Sequence, residues 1–220
     1  MTMTPDRWRG TCDYLGDVFG RPDPFMTALM PRARAAGLPD IAISADVGRL
    51  LLLLTRTTRA RRALELGTLA GYSGIWIARG LAAGGRLITI EADPKHAAFA
   101  RQAFADAGVS DRVTLREGKA LEVLPAIARE LGPASLDVVF FDALKHEYEA
   151  YFEATVDLIA PGGLLLADNA LGSRWWITDP PGDPARDAVD RFNRRIASDD
   201  RFDTACVPIR EGVLIARRKG

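Results

Sequence analysis

Leu136–Asn169 reads LDVVFFDALKHEYEAYFEATVDLIAPGGLLLADN. Two short apolar runs, Val138–Phe141 and Leu164–Ala167, each end on a carboxylate. Asp142 closes the first run. Asp168 closes the second, with Asn169 beside it, and Lys145 follows three residues after Asp142. The helical spacing between the runs makes them two parallel strands joined by a helix. Neighbouring parallel strands lie about 4.8 Å apart. The pair therefore delivers oxygen ligands and a lysine to one crevice.

Working outward, the same alternation repeats on both sides. Strands are predicted at Ala63–Leu66, Arg86–Ile90, Val113–Arg116, Leu136–Phe141 and Gly163–Ala167. Helices are predicted from the Gly67–Gly71 turn to about Leu81, and over Pro94–Ala107, Ala120–Leu131 and His146–Ile159. Strands alternating with helices of this length imply a parallel sheet covered on both faces. Gly172–Pro184 (GSRWWITDPPGDP) is a long Trp/Pro/Gly loop, then a helix is predicted over Ala185–Ala197. Phe202–Ile209 and Gly212–Ala216 read as a closing hairpin about a tight Arg-Glu-Gly turn, so one strand must run antiparallel. Residues 1–40 read as an irregular helical preface punctuated by Pro22, Pro24, Pro31 and Pro39. A helix follows from Ile41, with Ser44 or Asp46 as its cap.

Bulk properties exclude several classes. The chain has 220 residues, 48% hydrophobic and 26% charged, and 29 basic residues balance 29 acidic ones. That size supports one domain, and the neutral balance offers no field for nucleic acid or an anionic membrane. The longest apolar run, Leu50–Leu54, is far shorter than the roughly 20 residues of a membrane span. MTMTPDRWRG carries no apolar leader, and Cys12 and Cys206 form no motif, so a reducing cytoplasm is expected. No internal repeat or linker is visible.

In an open α/β sheet, ligands bind at the carboxyl ends of the strands. The first strand-to-helix turn, Glu65–Gly74 (ELGTLAGYSG), places glycines at 67, 71 and 74, letting a ligand approach the backbone. The spacing is GxxxGxxG, not the GxGxxG of dinucleotide binders. Glu91 ends the second strand, where an acid can hold both hydroxyls of a ribose. Its plainer role is as an acid at the next helix N-terminus. Gly118-Lys119-Ala120 ends the third strand, where small residues can flank an adenine. Glu65 would repel a pyrophosphate but not a cationic sulfonium or ammonium.

LELGTLAGYSGIWIARGL, ITIEADP, VTLREGKALEVLP, VVFFDALKHEYEAYF, GGLLLADNALG and REGVLIARR, in this order, resemble the S-adenosylmethionine-dependent O-methyltransferases of the catechol and caffeoyl-coenzyme A type. The resemblance runs from about Ile41 to the C-terminus. It implies a Rossmann-like, open, twisted seven-stranded sheet, mostly parallel with an antiparallel last strand and helices on both faces. One methyltransferase domain is expected over 1–220, as a preface (1–60) and an α/β core (61–220). The resemblance also implies a divalent metal and a homodimer. By the family's motifs Glu65, Gly67 and Ser73 face the amino-acid end of S-adenosylmethionine, Glu91 holds the ribose, and Gly118 and Ala120 lie by the adenine. Asp142 serves both cofactor and metal.

Asp142, Asp168 and Asn169 make an all-oxygen ligand set, suited to Mg²⁺, Ca²⁺ or Mn²⁺ and not to zinc. They leave about half of an octahedral shell for two vicinal oxygens of a catechol- or hydroxyphenol-like acceptor and for water. Singly, Asp142 could be a helix cap and Asp168-Asn169 an Asx turn. Lys145 is the expected catalytic residue. A bound cation and the sulfonium both disfavour an ammonium beside them, so its pKa should fall. Tyr148, Tyr151, Trp175 and Trp176 are candidate walls for a flat acceptor, and Gly172–Pro184 is a candidate lid. His146 and His96 are expected to be an exposed and a structural residue. The family's Asp-Ala-Asp-Lys is Asp142-Ala143-Leu144-Lys145 here, and Glu211-Gly212 stands where Asp-Gly is common. The lost acid keeps a metal-independent methyltransferase open, and the glycine turn with Glu91 keeps a nicotinamide-dependent oxidoreductase open.

Overall fold

A computed structural model describes residues 4–19 and 23–220. Pro22, read above as a break in the preface, lies outside the described residues. The preface is helical: α1 (Pro5–Phe19), α2 (Pro24–Ala35) and α3 (Ala45–Thr57). Asp23 caps α2 by accepting from the Met26 N–H at 2.8 Å, with Pro24 in the first turn, where its missing N–H costs nothing. Ser44 occupies the cap position of α3, but its hydroxyl bonds Asp46 instead of the backbone.

The core follows as β1 (Arg62–Leu66), α4 (Tyr72–Gly80), β2 (Arg86–Glu91), α5 (Pro94–Asp106), β3 (Val113–Glu117), α6 (Ala120–Leu131), β4 (Leu136–Phe141), α7 (Tyr148–Thr155), β5 (Ile159–Ala167), α8 (Pro184–Ala197), β6 (Phe202–Val207) and β7 (Val213–Arg218). The seven strands form one sheet in the order β3-β2-β1-β4-β5-β7-β6. All neighbours pair in parallel except at β7, which runs antiparallel to both β5 and β6. The sequence expectation of a mostly parallel seven-stranded sheet with an antiparallel last strand is met.

Strand pleating sorts the core into two layers, because successive side chains point to opposite faces. Val139, Phe141, Leu165 and Ala167 join the cluster under α6, α7 and α8. Val138, Phe140, Leu164 and Leu166 join the cluster under α2, α3, α4 and α5. β1 obeys the same period, with Leu64 and Leu66 in the first cluster and Ala63 in the second. Glu65 therefore faces the α4 side, where any side chain must be buried.

Three boundaries differ from the sequence reading. β5 begins at Ile159, not Gly163. Ala160-Pro161-Gly162-Gly163 reads as a turn but runs on as an irregular strand, with a register shift between Leu136 and Val138 of β4. The helix expected from His146 opens as a 3₁₀ turn over Lys145–Glu147 and becomes α-helical at Tyr148. The connection between β6 and β7 is five residues long, closed by hydrogen bonds from Ile209 N–H to Val207 O and from Gly212 N–H to Ile209 O.

Candidate active site

The strand order reverses direction between β1 and β4, and their carboxyl ends open into a cavity of about 580 Å³. Ligand crevices in open α/β sheets form at this switch point. Of the sequence-predicted site residues, Gly67, Ser73, Glu91, Gly118, Ala120, Asp142, Lys145 and Asn169 line it. Glu65 and Asp168 lie behind the wall, at 0% and 3% exposure.

On the β1–β3 side, Glu91 is almost fully engaged. Its Oε2 accepts from the Thr68 and Leu69 N–H groups at 3.2 and 2.8 Å, and its Oε1 accepts from the Asp93 N–H at 2.9 Å. The acid at the end of β2 thus fixes the glycine turn after β1. Gly67 has φ +94°, and a Cβ there would stand 2.3 Å from the Asp142 carbonyl oxygen. The glycine is required by the close passage of the β4 end, and not only by an approaching ligand. Gly118, at φ +135°, donates its N–H to the Glu91 carbonyl and so ties the β3 end to the β2 end.

Glu65 sits beneath the first turn of α4. Thr89 donates its hydroxyl to Glu65 Oε2 at 2.6 Å, and Oε1 has no hydrogen-bond partner. Burial pushes its pKa up to about 8, against the lowering effect of the Ser73 and Thr89 hydroxyls. A Cβ on Gly74 would fall 2.8 Å from Glu65 Oε2, so the third glycine of the turn makes room for this carboxyl.

On the β4–β5 side, β4 pairs with β5 in parallel up to Phe141 and Ala167, so Asp142 and Asp168 follow as neighbours. The Asp142 N–H bonds Leu66 O and the Asp168 N–H bonds Phe141 O, which extends the ladder to the carboxylates themselves. Lys145 Nζ lies 2.7 Å from Asp142 Oδ1 and donates to the Tyr148 hydroxyl at 2.9 Å. That hydroxyl is 3.1 Å from the carbonyl oxygens of both Phe141 and Asp168, either of which can take its proton. Tyr148 is therefore the strut that sets Lys145 between the two strand ends.

Burial works against the Lys145 ammonium, but the negative charges of Asp142 and Asp168, with the Tyr148 oxygen, outweigh it and raise its pKa. In the chain by itself the nearest charges are these carboxylates; the expected fall concerns the site with cation and sulfonium bound. Burial raises the Asp168 pKa, and the charge of Asp142 adds to it. Asp168 Oδ1 is buried with no hydrogen-bond partner. Asn169 holds a left-handed backbone, φ +58°, which a short amide side chain tolerates.

The donor set suits a hard cation, since an unpartnered buried oxygen beside a second carboxylate is costly without one. No group of three or more His, Cys, Asp and Glu side chains forms a metal cage among the described residues. The candidate set comprises two carboxylates and one amide.

Of the four aromatic residues expected as walls, only Tyr151 lines the cavity. Its hydroxyl bonds Glu147 Oε2 at 2.5 Å. Tyr148 and Trp175 are buried in the core, while Trp176 is half exposed and outside the lining. His146 is exposed as expected, but His96 lines the cavity, its Nδ1 3.6 Å from Glu91 Oε1. Sequence reasoning missed Asp40–Ile43 and Arg210; these line the same space together with Arg174 of the candidate lid and Glu211 of the closing turn. Arg210 holds a left-handed φ of +53°, which its Arg-Glu-Gly turn does not signal, since Gly212 is the residue suited to a positive φ.

Comparison with known proteins agrees with this geometry. The family model described as O-methyltransferase matches residues 22–219. A catechol O-methyltransferase of Niastella koreensis is 40% identical over 190 residues, covering 86% of each chain. The O-methyltransferase of Bacillus cereus, solved in complex with SAH, superposes with a TM-score of 0.88 at 35% identity, covering 97% of this chain and 99% of that one. The O-methyltransferase of tomaymycin synthesis from Streptomyces achromogenes, solved with S-adenosylmethionine, gives a TM-score of 0.86 at 35% identity over all of both chains. The resemblance read from the ordered motifs is borne out. The chain belongs to the O-methyltransferase family and is an S-adenosylmethionine-dependent O-methyltransferase.

Proposed function

We propose that the protein transfers the methyl group of S-adenosylmethionine to a hydroxyl of a small catechol- or hydroxyphenol-like acceptor, with a divalent cation, Mg²⁺ foremost, held by Asp142, Asp168 and Asn169. The observation that carries this reading is the buried, unpartnered Asp168 Oδ1 beside Asp142. A cation there lowers the pKa of an acceptor hydroxyl and orients it. The cofactor supplies an electrophilic methyl, whose bond to sulfur breaks as the bond to oxygen forms.

The chain's own residues do the rest. Glu91, set by the Thr68 and Leu69 N–H groups, takes the ribose hydroxyls. Gly118 and Ala120 flank the adenine. Gly67, Ser73 and the Glu65 and Asp142 carboxyls receive the amino-acid end of the cofactor. Lys145 Nζ, kept an ammonium by the neighbouring carboxylates, steadies the charge that develops on the reacting oxygen, and the hydroxyl's proton leaves to water as the methyl arrives. Much of the barrier reduction comes from fixing donor and acceptor in line.

Family membership removes the nicotinamide reading. The metal-independent reading retains one supporting observation, Lys145 already paired with Asp142 beside a half-exposed Leu144.

Preface and core act as one domain, a reading supported by Asp40–Ile43 and Arg210–Glu211 lining one cavity. A homodimer in the cytoplasm completes the proposal, open to sedimentation and cell fractionation. No helix among the described residues is long and apolar enough to cross a membrane.

The test is methyl transfer to catechol with Mg²⁺ and then with excess chelator. Turnover that disappears in chelator and returns with Mg²⁺ is expected. Full turnover in chelator favours the metal-independent alternative.

A further inference from the structure

The acceptor end of the cavity carries two arginines that the reaction does not call for. Arg174 lies on the loop after Asn169, and Arg210 lies on the turn between β6 and β7. Arg210 occupies the left-handed region, φ +53°. A long side chain there is strained, and such residues persist where the surroundings hold them, often at ligand clamps. Its guanidinium is held at two points: Nη1 donates to Ala42 O at 3.0 Å, and Nε lies 2.9 Å from Glu211 Oε2. The second contact is poorly aligned, since that oxygen accepts no hydrogen bond. The turn that carries Arg210 is tied to the segment after Asp168 and Asn169, since the Ala170 and Leu171 N–H groups donate to the Gly212 and Glu211 carbonyls at 3.0 and 2.8 Å. Arg210 therefore stands at the reactive end of the cavity.

The remaining charges of the lining are already engaged. Asp142 faces Lys145, Asp40 faces Arg34 at 2.7 Å, and Glu147 accepts from Tyr151. Glu211 faces Arg210. No ion pair or hydrogen bond engages the Arg174 guanidinium among the described residues. A planar guanidinium fork matches a carboxylate through two parallel hydrogen bonds.

We propose, resting on the methyl-transfer reading above, that the acceptor is a hydroxylated aromatic acid whose carboxylate is received by Arg174 with Arg210. The hydroxyl to be methylated then lies toward Lys145. A neutral catechol leaves Arg174 without a partner, and a catechol bearing an ammonium group meets the arginines with like charge.

The test compares kcat/KM for 3,4-dihydroxybenzoate, catechol and 2-(3,4-dihydroxyphenyl)ethylamine, with S-adenosylmethionine and Mg²⁺. The acid is expected to exceed catechol by tenfold or more, through KM, and the amine to be the poorest. In Arg174→Gln the ratio of acid to catechol falls toward one, and in Arg174→Lys much of it returns. Arg210→Gly, which suits the left-handed backbone, lowers the same ratio in a folded protein. Equal kcat/KM for acid and catechol in an active enzyme overturns this proposal and leaves methyl transfer standing. If none of the three is methylated, the catechol-like acceptor reading is the one that fails. Titration of the acid and of catechol into SAH-loaded protein then reads the arginine clamp directly, and equal affinity for the two overturns it.

Discussion

The two sides of the cavity are built on different principles. On the β1–β3 side the chain satisfies itself. Glu91 takes three backbone N–H groups, and the left-handed positions are mostly glycines, at 67, 71 and 118, with Leu69 among them. On the β4–β7 side groups are held short of satisfaction. Asp168 Oδ1 and Glu211 Oε2 are buried without hydrogen-bond partners, and the left-handed positions are Asn169, Arg210 and Gly212. The first is the build of a preformed receptor. The second stores unspent electrostatic capacity, as a site does when charge develops during reaction. Glu65 sits at the seam, hydrogen-bonded through one oxygen and orphaned at the other.

The largest expected effect breaks the second side alone. Lys145→Met should lower kcat by roughly 10²–10⁴-fold, with SAH affinity changed much less, as read by turnover and calorimetry on one preparation. Parallel losses of turnover and SAH affinity would show that Lys145 serves binding and erase the contrast.

The seam comes next. The Glu65 pKa is raised by burial to about 8 in the folded chain, from an ordinary carboxyl value near 4.5. Between those values the folded protein binds more protons than the unfolded one, so stability falls as pH rises through that window. The ceiling of this fall is on the order of 5 kcal/mol. Glu65→Gln should flatten this component, as seen in urea melts of ligand-free protein at pH 5 and pH 8.5. Identical pH dependence in the two proteins would mean Glu65 stays ionised when buried.

The smallest effect tests the first side. Glu91→Ala leaves the Thr68, Leu69 and Asp93 N–H groups without their acceptor. It should cost about 1–3 kcal/mol of stability and weaken SAH binding about tenfold. Weakened binding at unchanged melting temperature would give Glu91 a ligand role without a structural one.

Much of this was legible in the sequence because sheet and site share one pattern. The β2, β4 and β5 strands are apolar runs that end on or just before an acid, so Glu91, Asp142 and Asp168 mark strand ends and crevice together. The start of β5 was hidden because Pro161-Gly162-Gly163 carries turn chemistry while its backbone continues the strand. Tyr148 and Trp175 misled because aromatic residues beside a site belong as readily to the core. Tyr148 serves the site from within the core, through its hydroxyl on Lys145. Arg210 and Asp40–Ile43 were invisible for a topological reason. They meet the site only once β7 is inserted beside β5 and the preface folds over the strand ends, and no local pattern records that closure.

The contrast between the two sides is tested most directly by Asp168→Ala, measured for SAH binding by calorimetry and for methyl transfer to 3,4-dihydroxybenzoate with Mg²⁺. SAH affinity within about threefold of wild type, with transfer reduced by at least about 10²-fold, is the predicted result. Transfer at the wild-type rate in Asp168→Ala would contradict it.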